Sequence, residues 1–369
     1  MKTSGPLNTP PSPIRHATSN GAPIKVLLVD DSPITLHILQ RLLSDSPGIQ
    51  VVGTASHGQE ALELLPSLSP DVICTDLHMP VMDGLALTHE IMHHYPRPIL
   101  VVSVSVEPNS PNIFRLLEAG ALDIYPKPRA ILEANQDKLA RELASKIRIL
   151  AGVHVFRRGP APLGLPPLPI SLPSHAPVRM VAIGASTGGP QALREILSHL
   201  PIGFPAPLVC VQHIGSDFLS GMVAWLAEVS PLPVRQAVQG DLPQDGVVYF
   251  APGETHLIFD DSGRFKLTQA PPWDGHRPSV TITLRAAARR FGAATVGVLL
   301  TGMGRDGAEG MADIAAAGGV TIAQNEASSI VYGMPREAVA LGVVQHLFTS
   351  EQIAPALATL AKRSAKCTA

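Results

Sequence analysis

A serine, a histidine and an aspartate, each just past an apolar run in the C-terminal half of the chain, are the residue types needed for acyl transfer. Val181-Ala182-Ile183 leads into Gly184-Ala185-Ser186-Thr187-Gly188, which spells the G-x-S-x-G pattern of a nucleophile elbow. A serine on such a turn is exposed, and the N–H groups of the following helix start lie beside it, where they can stabilise an oxyanion. His213 directly follows the run Ala206-Pro207-Leu208-Val209-Cys210-Val211-Gln212. Asp306 lies in Thr301-Gly302-Met303-Gly304-Arg305-Asp306-Gly307, after the run from Thr295 to Leu300. Neutral serine needs a base to take its proton. Histidine titrates near neutrality, so it can accept that proton and later return it to a leaving group. A buried carboxylate orients the imidazole and stabilises its cation. Each residue alone also has a plainer use, Ser186 and Asp306 as helix caps or turn formers and His213 as a strand-end hydrogen-bonding group. At three strand ends of one sheet they read as a triad. Its chain order, Ser then His then Asp, differs from the Ser, Asp, His order of the α/β-hydrolases.

The first half carries a second chemistry. Asp30 and Asp31 end the apolar run Ile24 to Val29, and Asp76 ends Asp71-Val72-Ile73-Cys74-Thr75. Ser103 closes a third run, Pro98 to Val102, and Lys127 follows a shorter one through Ile124 and Tyr125. Carboxylates converging at one edge repel one another, and a hard cation such as Mg²⁺ relieves that repulsion. Asp76 can then accept a phosphoryl group. Lys127 can pair with the carboxylate or the phosphate, and Ser103 can donate to the phosphoryl oxygens.

Two alternating strand–helix units must position these residues. Helical spacing follows the strands, as in Ile34, Ile38 and Leu42 or Leu193, Ile196, Leu197 and Leu200. Alternation of this kind argues for α/β architecture: two doubly wound parallel sheets with helices on both faces. Ligands in such folds bind at the carboxyl ends of the strands, where all the polar residues above fall. Pro160 to Pro177 is a proline-rich, extended spacer. The expected organisation is a disordered Pro/Ser/Thr-rich tail over 1–23, a first domain over 24–150 closed by a helix from about Ala130 to Leu150, a linker over 151–177, and a second domain over 178–369.

Composition narrows the classes. At 369 residues and 45% hydrophobic content the chain can fill two cores. A net charge of −2 leaves no basic footprint for nucleic acid. No apolar run approaches the roughly 18 residues of a membrane helix, and the N-terminus lacks a signal-peptide core, so a cytoplasmic location without membrane insertion is expected. Cys74, Cys210 and Cys367 are scattered, and the first two read as buried thiols.

The motifs also carry a resemblance. Val29-Asp30-Asp31-Ser32-Pro33, Thr75-Asp76-Leu77-His78-Met79-Pro80-Val81-Met82-Asp83-Gly84 and Lys127-Pro128 resemble a response-regulator receiver domain, a flavodoxin-like fold. Ile183 to Pro190, Val211-Gln212-His213, His276-Arg277-Pro278-Ser279-Val280, Leu300 to Gly307 and Ala323 to Ala338 resemble the Rossmann-like catalytic domain of the chemotaxis protein-glutamate methylesterases (CheB). The resemblance spans about Ile24 to Leu360. It implies a phosphoacceptor at Asp76, with Mg²⁺ held by Asp30, Asp31, Asp76 and the His78 backbone carbonyl. It implies switch roles for Ser103 and Lys127, the triad Ser186, His213 and Asp306, and active-site neighbours Thr187 and Met303. The implied reaction is hydrolysis of glutamate methyl esters on chemoreceptor cytoplasmic helices, releasing methanol, and in some members deamidation of receptor glutamines. No cofactor is expected for the ester hydrolysis. A chemotaxis histidine kinase is the implied phosphodonor. The competing reading is a phosphorylation-controlled receptor adaptor without catalysis. His78, Val104, Ile124 (where an aromatic switch residue is usual, with Tyr125 next to it) and Thr281 depart from the family pattern.

Overall fold

The structure, a computed structural model, describes residues 22–104, 113–128, 136–153, 155 and 176–366. Residues 1–21 of the expected N-terminal tail, residues 130–135 of the helix expected to close the first domain and most of the proline-rich spacer lie outside the described residues, as does Cys367.

The first unit runs β1 (Ile24–Val29), α1 (Pro33–Ser44), β2 (Ile49–Ala55), α2 (Gly58–Leu68), β3 (Val72–Thr75), α3 (Gly84–His94), β4 (Ile99–Ser103), α4 (Phe114–Ala119), β5 (Asp123–Pro126) and α5 (Gln136–Ala151). Its five strands are parallel in the order β2-β1-β3-β4-β5. The central strands β3 and β4 are buried along their whole length, as a sheet covered on both faces requires. The strand order reverses between β1 and β3, so Asp30, Asp31 and Asp76 meet in the crevice that a switch point opens. Ser32 starts α1 by accepting from the Thr35 amide at 3.3 Å, with Pro33 in the first turn.

The second unit comprises β6 (Met180–Ala185), α6 (Gly189–Ser198), β7 (Leu208–Gln212), α7 (Ser216–Ala227), β8 (Val234–Gln236), β9 (Val248–Phe250), β10 (His256–Phe259), β11 (Phe265–Thr268), α8 (Val280–Phe291), β12 (Thr295–Leu299), α9 (Ala308–Ala316), β13 (Val320–Gln324), α10 (Met334–Ala340), β14 (His346–Phe348) and α11 (Ser350–Lys366). Seven parallel strands pair in the order β14-β13-β12-β6-β7-β9-β8, and β10 and β11 form an antiparallel hairpin apart from them. The order reverses at β6, between β12 and β7. The loops after β6, β7 and β12 therefore open onto one crevice, and they carry Ser186, His213 and Asp306. The strands expected from sequence are all present, within two residues at their ends. The sheet extends beyond them by β8, β9, β13 and β14, whose runs are short or flank glycine.

The two units pack against each other. Phe114 stacks on Trp225, ring centroids 5.4 Å apart, and the Arg194 guanidinium lies 5.4 Å from the same tryptophan. Glu118 accepts from Trp225 Nε1 at 2.8 Å and pairs with Arg194 at 3.0 Å. Gln191 Nε2 donates to the Ala121 carbonyl at 2.9 Å. An aromatic pair with a cation over one ring adds attraction beyond area burial. This face of α4, β5 and α5 covers the region around Ser186.

Candidate active site

The Ser186 turn is built by glycine and by clamps from neighbouring strands. Gly188 has φ +77°, and a Cβ there would fall 2.6 Å from Ile330. A Cβ on Gly189 would strike the Gln212 side-chain oxygen at 2.0 Å. The Ser186 amide donates to the Thr301 carbonyl at 3.0 Å, and its own carbonyl accepts from Gln212 Nε2 at 2.8 Å. Thr301 Oγ1 donates to the Thr187 carbonyl at 3.0 Å and accepts from the Val331 amide at 2.8 Å. The turn is thus tied to β7, β12 and the segment after β13.

His213 sits beside this turn because its amide donates to the Ala185 carbonyl at 3.0 Å. Its Nε2 lies 2.9 Å from Asp306 Oδ2, and its buried Nδ1 has no partner among the described residues. No hydrogen bond joins Ser186 Oγ to His213 among the described residues. Catalytic hydrogen bonds are often loose before substrate binds. Asp306 is 2% exposed. Its Oδ1 accepts from Ser279 Oγ and the Thr281 amide, each at 2.9 Å, and its Oδ2 accepts from the Val280 amide at 2.8 Å as well as from His213. It therefore sits on the N-terminus of α8, where the helix dipole favours an anion. Burial alone would raise its pKa, but the bond and charge of His213 and the Thr281 amide outweigh it and hold the carboxyl well below the usual range. Thr281, at a position that departs from the family pattern, also accepts from the Gly307 amide at 2.7 Å and so steadies the Asp306 loop.

The first unit holds a different pocket. Asp76 accepts from Ser103 Oγ at 2.9 Å and from the Leu77 amide at 2.7 Å on Oδ1, and pairs with Lys127 Nζ at 2.7 Å on Oδ2. The same ammonium reaches Asp30 at 2.7 Å. Burial pushes the Asp30 carboxyl up, only partly offset by Lys127. Burial opposes the Lys127 charge too, but both carboxylates outweigh it and raise its pKa. Carboxylate oxygens of Asp30, Asp31 and Asp76 lie within 4.8 Å of one another. That spacing and an all-oxygen donor set fit a hard divalent cation. His78 is exposed on the loop leaving β3, and Val104 is 45% exposed beside Ser103. Ile124 packs into the core, while the Tyr125 hydroxyl donates to the Leu139 carbonyl of α5 at 3.2 Å, so the neighbouring aromatic does not occupy the place that Ile124 fills.

Contacts from the start of β5 and from α5 of the first unit reach the Ser186 region. Thr187, next to Ser186, donates through Oγ1 to Asp123 Oδ2 at 2.8 Å, and Lys146 of α5 pairs with the same oxygen. Ser145 Oγ lies 3.7 Å from Met303 Sδ. Gln212, Thr301, Ser279, Asp123 and His276 are site residues that the sequence reading left without a role. The sequence marks Gln212 and Thr301 as polar residues at the ends of apolar strands, and His276 and Ser279 only as members of a motif that carries the resemblance, while nothing in it marks Asp123. The two described cysteines are free and buried, and burial pushes the Cys74 thiol up to about 12. No described helix is long and apolar enough to cross a membrane.

Comparison with known proteins bears on both units. Residues 181–357 match the CheB methylesterase family, and residues 26–136 match the response regulator receiver domain. A protein-glutamate methylesterase/protein-glutamine glutaminase of Geobacter metallireducens is 43% identical over 343 residues, covering 92% of this chain and 99% of the relative. One from Anaeromyxobacter dehalogenans is 44% identical over 341 residues, covering 92% and 98%. The crystal structure of the Thermotoga maritima CheB methylesterase catalytic domain is 36% identical and covers 50% of this chain and 98% of its own, with a TM-score of 0.49. With identity of this order along nearly its whole length, and with both domains in place, the chain belongs to the CheB family of methylesterases that carry a response-regulator receiver domain.

Proposed function

We propose that this chain removes methyl groups from glutamate methyl esters on chemoreceptor cytoplasmic helices, under control of phosphorylation at Asp76. Residues 24–150 form the regulatory module and 178–369 the hydrolytic one. The observation that carries the reading is the His213 imidazole, fixed at Nε2 by a buried carboxylate, with an Nδ1 that has no partner among the described residues, in a residue whose amide bonds to Ala185 next to Ser186.

In this reading Nδ1 takes the Ser186 Oγ proton as Oγ bonds to the ester carbon and the carbonyl oxygen becomes an oxyanion. The imidazolium then protonates the departing methoxide oxygen as the C–O bond breaks, giving methanol and an acyl-serine. Water attacks this acyl-serine with His213 again as base, releasing glutamate and the free hydroxyl. Asp306 keeps the ring in place and stabilises its cation. Thr187 and Met303 border the carbonyl, where one backbone donor to the oxyanion is worth about 3 kcal/mol. The same steps on a receptor glutamine release ammonia, in keeping with the glutaminase named in the relatives.

Asp30, Asp31, Asp76 and the His78 carbonyl are the groups that would hold Mg²⁺. When bound, the ion neutralises charge on the incoming phosphoryl group. A histidine kinase supplies that group, and Ser103 and Lys127 hold its oxygens. The docked receiver supports a covering role: its Asp123 occupies the Thr187 hydroxyl and its α5 meets Met303. Phosphorylation shifts the chain toward an undocked state.

The test is methanol release from radiolabelled methylated receptor membranes, with and without acetyl phosphate. The full chain responds to the phosphodonor, Asp76→Asn retains only the unstimulated rate, and Ser186→Ala releases no methanol above background. Undiminished release by Ser186→Ala sinks the proposed hydrolysis mechanism.

A further inference from the structure

The His276 ring lies flat on the His213 ring, centroids 3.8 Å apart and planes 9° from parallel. Nothing in the triad chemistry requires a second imidazole. A single hydrogen bond from Nε2 to Asp306 fixes one edge of His213 but leaves the ring free to turn about that bond. The imidazole χ2 torsion is itself broad, so the side chain's own preferences do not hold the plane. A planar neighbour at van der Waals contact removes that freedom. We propose that His276 is a positioning residue for the hydrolysis, its ring clamping the face of His213 so that Nδ1 stays aimed at the Ser186 turn. The inference rests on the triad reading above.

The chain builds this clamp rigidly. His276 and Trp273 exchange backbone bonds of 2.9 and 3.1 Å, closing a short hairpin. The Arg285 guanidinium lies 5.0 Å from the Trp273 ring centre and is anchored to Asp313 at 2.7 Å. Asp274 of the same hairpin pairs with Arg305 at 3.6 Å, beside Asp306. Further along, Ser279, Val280 and Thr281 supply the donors that fix Asp306. His256 steadies the join, its Nδ1 accepting from the Ser279 amide at 3.2 Å and its Nε2 lying 3.1 Å from the Pro271 carbonyl. One segment, 276–281, therefore holds His213 by its face and its carboxylate by both oxygens.

Charge is consistent with the role. Burial first, and the neighbouring His213 second, lower the His276 pKa to about 4. The charged or titratable groups facing it are His213, Asp306, Asp274 and, from the docked receiver, Lys146. A neutral clamp adds no repulsion when His213 becomes a cation.

The experiment uses the full chain, activated with acetyl phosphate, acting on methylated receptor membranes. His276→Ala is expected to lower kcat about tenfold or more with KM within twofold, since misaimed groups cost rate rather than binding. His276→Phe, which keeps a flat ring, is expected to stay within about threefold of the parent with an unmoved acid limb in its pH–rate profile. His276→Leu, which keeps bulk without a plane, should resemble Ala. Leu matching Phe overturns the clamp in favour of simple filling. Phe as poor as Ala overturns it too, because the ring nitrogens would then be what matters. Should Ala unfold, judged by tryptophan fluorescence, the Phe and Leu pair still decides the matter. Loss of the clamp leaves the triad standing, whereas full activity in Ser186→Ala removes both.

Discussion

Asp306 and Asp76 stand at equivalent edges of two parallel sheets, yet they are bonded differently. A carboxylate offers about four lone-pair sites. Asp306 has two donors on each oxygen. Asp76 has two on Oδ1 and only Lys127 on Oδ2 among the described residues. A saturated carboxylate has no capacity left to react, and its fixed charge can only orient and stabilise. A carboxylate held short of saturation, with an ammonium already beside the open oxygen, is prepared to take a new bond. The number of donors, more than burial, separates the two, since both side chains are under a tenth exposed.

Substitution at Asp306 breaks this contrast most severely. Asp306→Asn puts an amide where every neighbour donates, so hydrolysis should fall about a thousand- to ten-thousand-fold, as loss of the orienting carboxylate does in serine enzymes. Asp76→Asn should leave the unstimulated methanol release unchanged and abolish only the response to acetyl phosphate.

Acid sharpens the difference next. The folded pKa of Asp306 lies below that of an unfolded aspartate near ~3.9. Its contribution to stability is therefore complete above that value and fades as pH falls toward the folded pKa. Asp30 behaves oppositely: its raised pKa means that protonation relieves the folded receiver as pH falls. Both tryptophans of the sequence, Trp225 and Trp273, belong to the hydrolytic domain, and Trp225 also touches the receiver's Phe114 and Glu118, so the hydrolytic domain's denaturant unfolding is best followed by fluorescence in the Phe114→Leu background. As pH falls below about 4 its midpoint should fall, and Asp306→Asn should flatten the slope.

Metal provides a gentler test. Millimolar Mg²⁺ should raise the receiver's melting temperature in calorimetry, because it binds the folded state alone. It should leave the unstimulated hydrolysis unmoved. The smallest effect is expected at the domain contact. Asp123→Ala removes a bond of charged type worth about 1.5–3 kcal/mol, so the unphosphorylated rate should rise by several-fold at least toward the phosphorylated one. An unchanged rate would place the restraint elsewhere on the interface.

Much of this was legible in the residues. Apolar runs closed by Asp30, Asp76, Ser103, Ser186, His213 and Asp306 marked both crevices, because a parallel sheet buries its strands and exposes only their ends. What stayed hidden was made by contacts distant in the chain. Nothing local to His276 signals that it will lie on His213, 63 positions earlier by their numbers (276 − 213). Asp123 reads as an ordinary strand-start acid until the other domain brings Thr187 to it. The Asp306 donors were half visible: Ser279 has the look of a helix cap, but its partner comes from another loop. The short strands β8, β9 and β14 carry too few residues to show a period of their own.

The bond from Thr187 to Asp123 has a consequence in the reverse direction. In the proposed mechanism the receiver sits where the ester must enter beside Thr187, so docking by one opposes binding of the other. Under the proposed function, reciprocity requires that a methylated substrate, on loading the cleft, shift the receiver's docking equilibrium by the same factor by which undocking shifts substrate affinity. The enzyme would thus sense how much work awaits it as well as the order to begin.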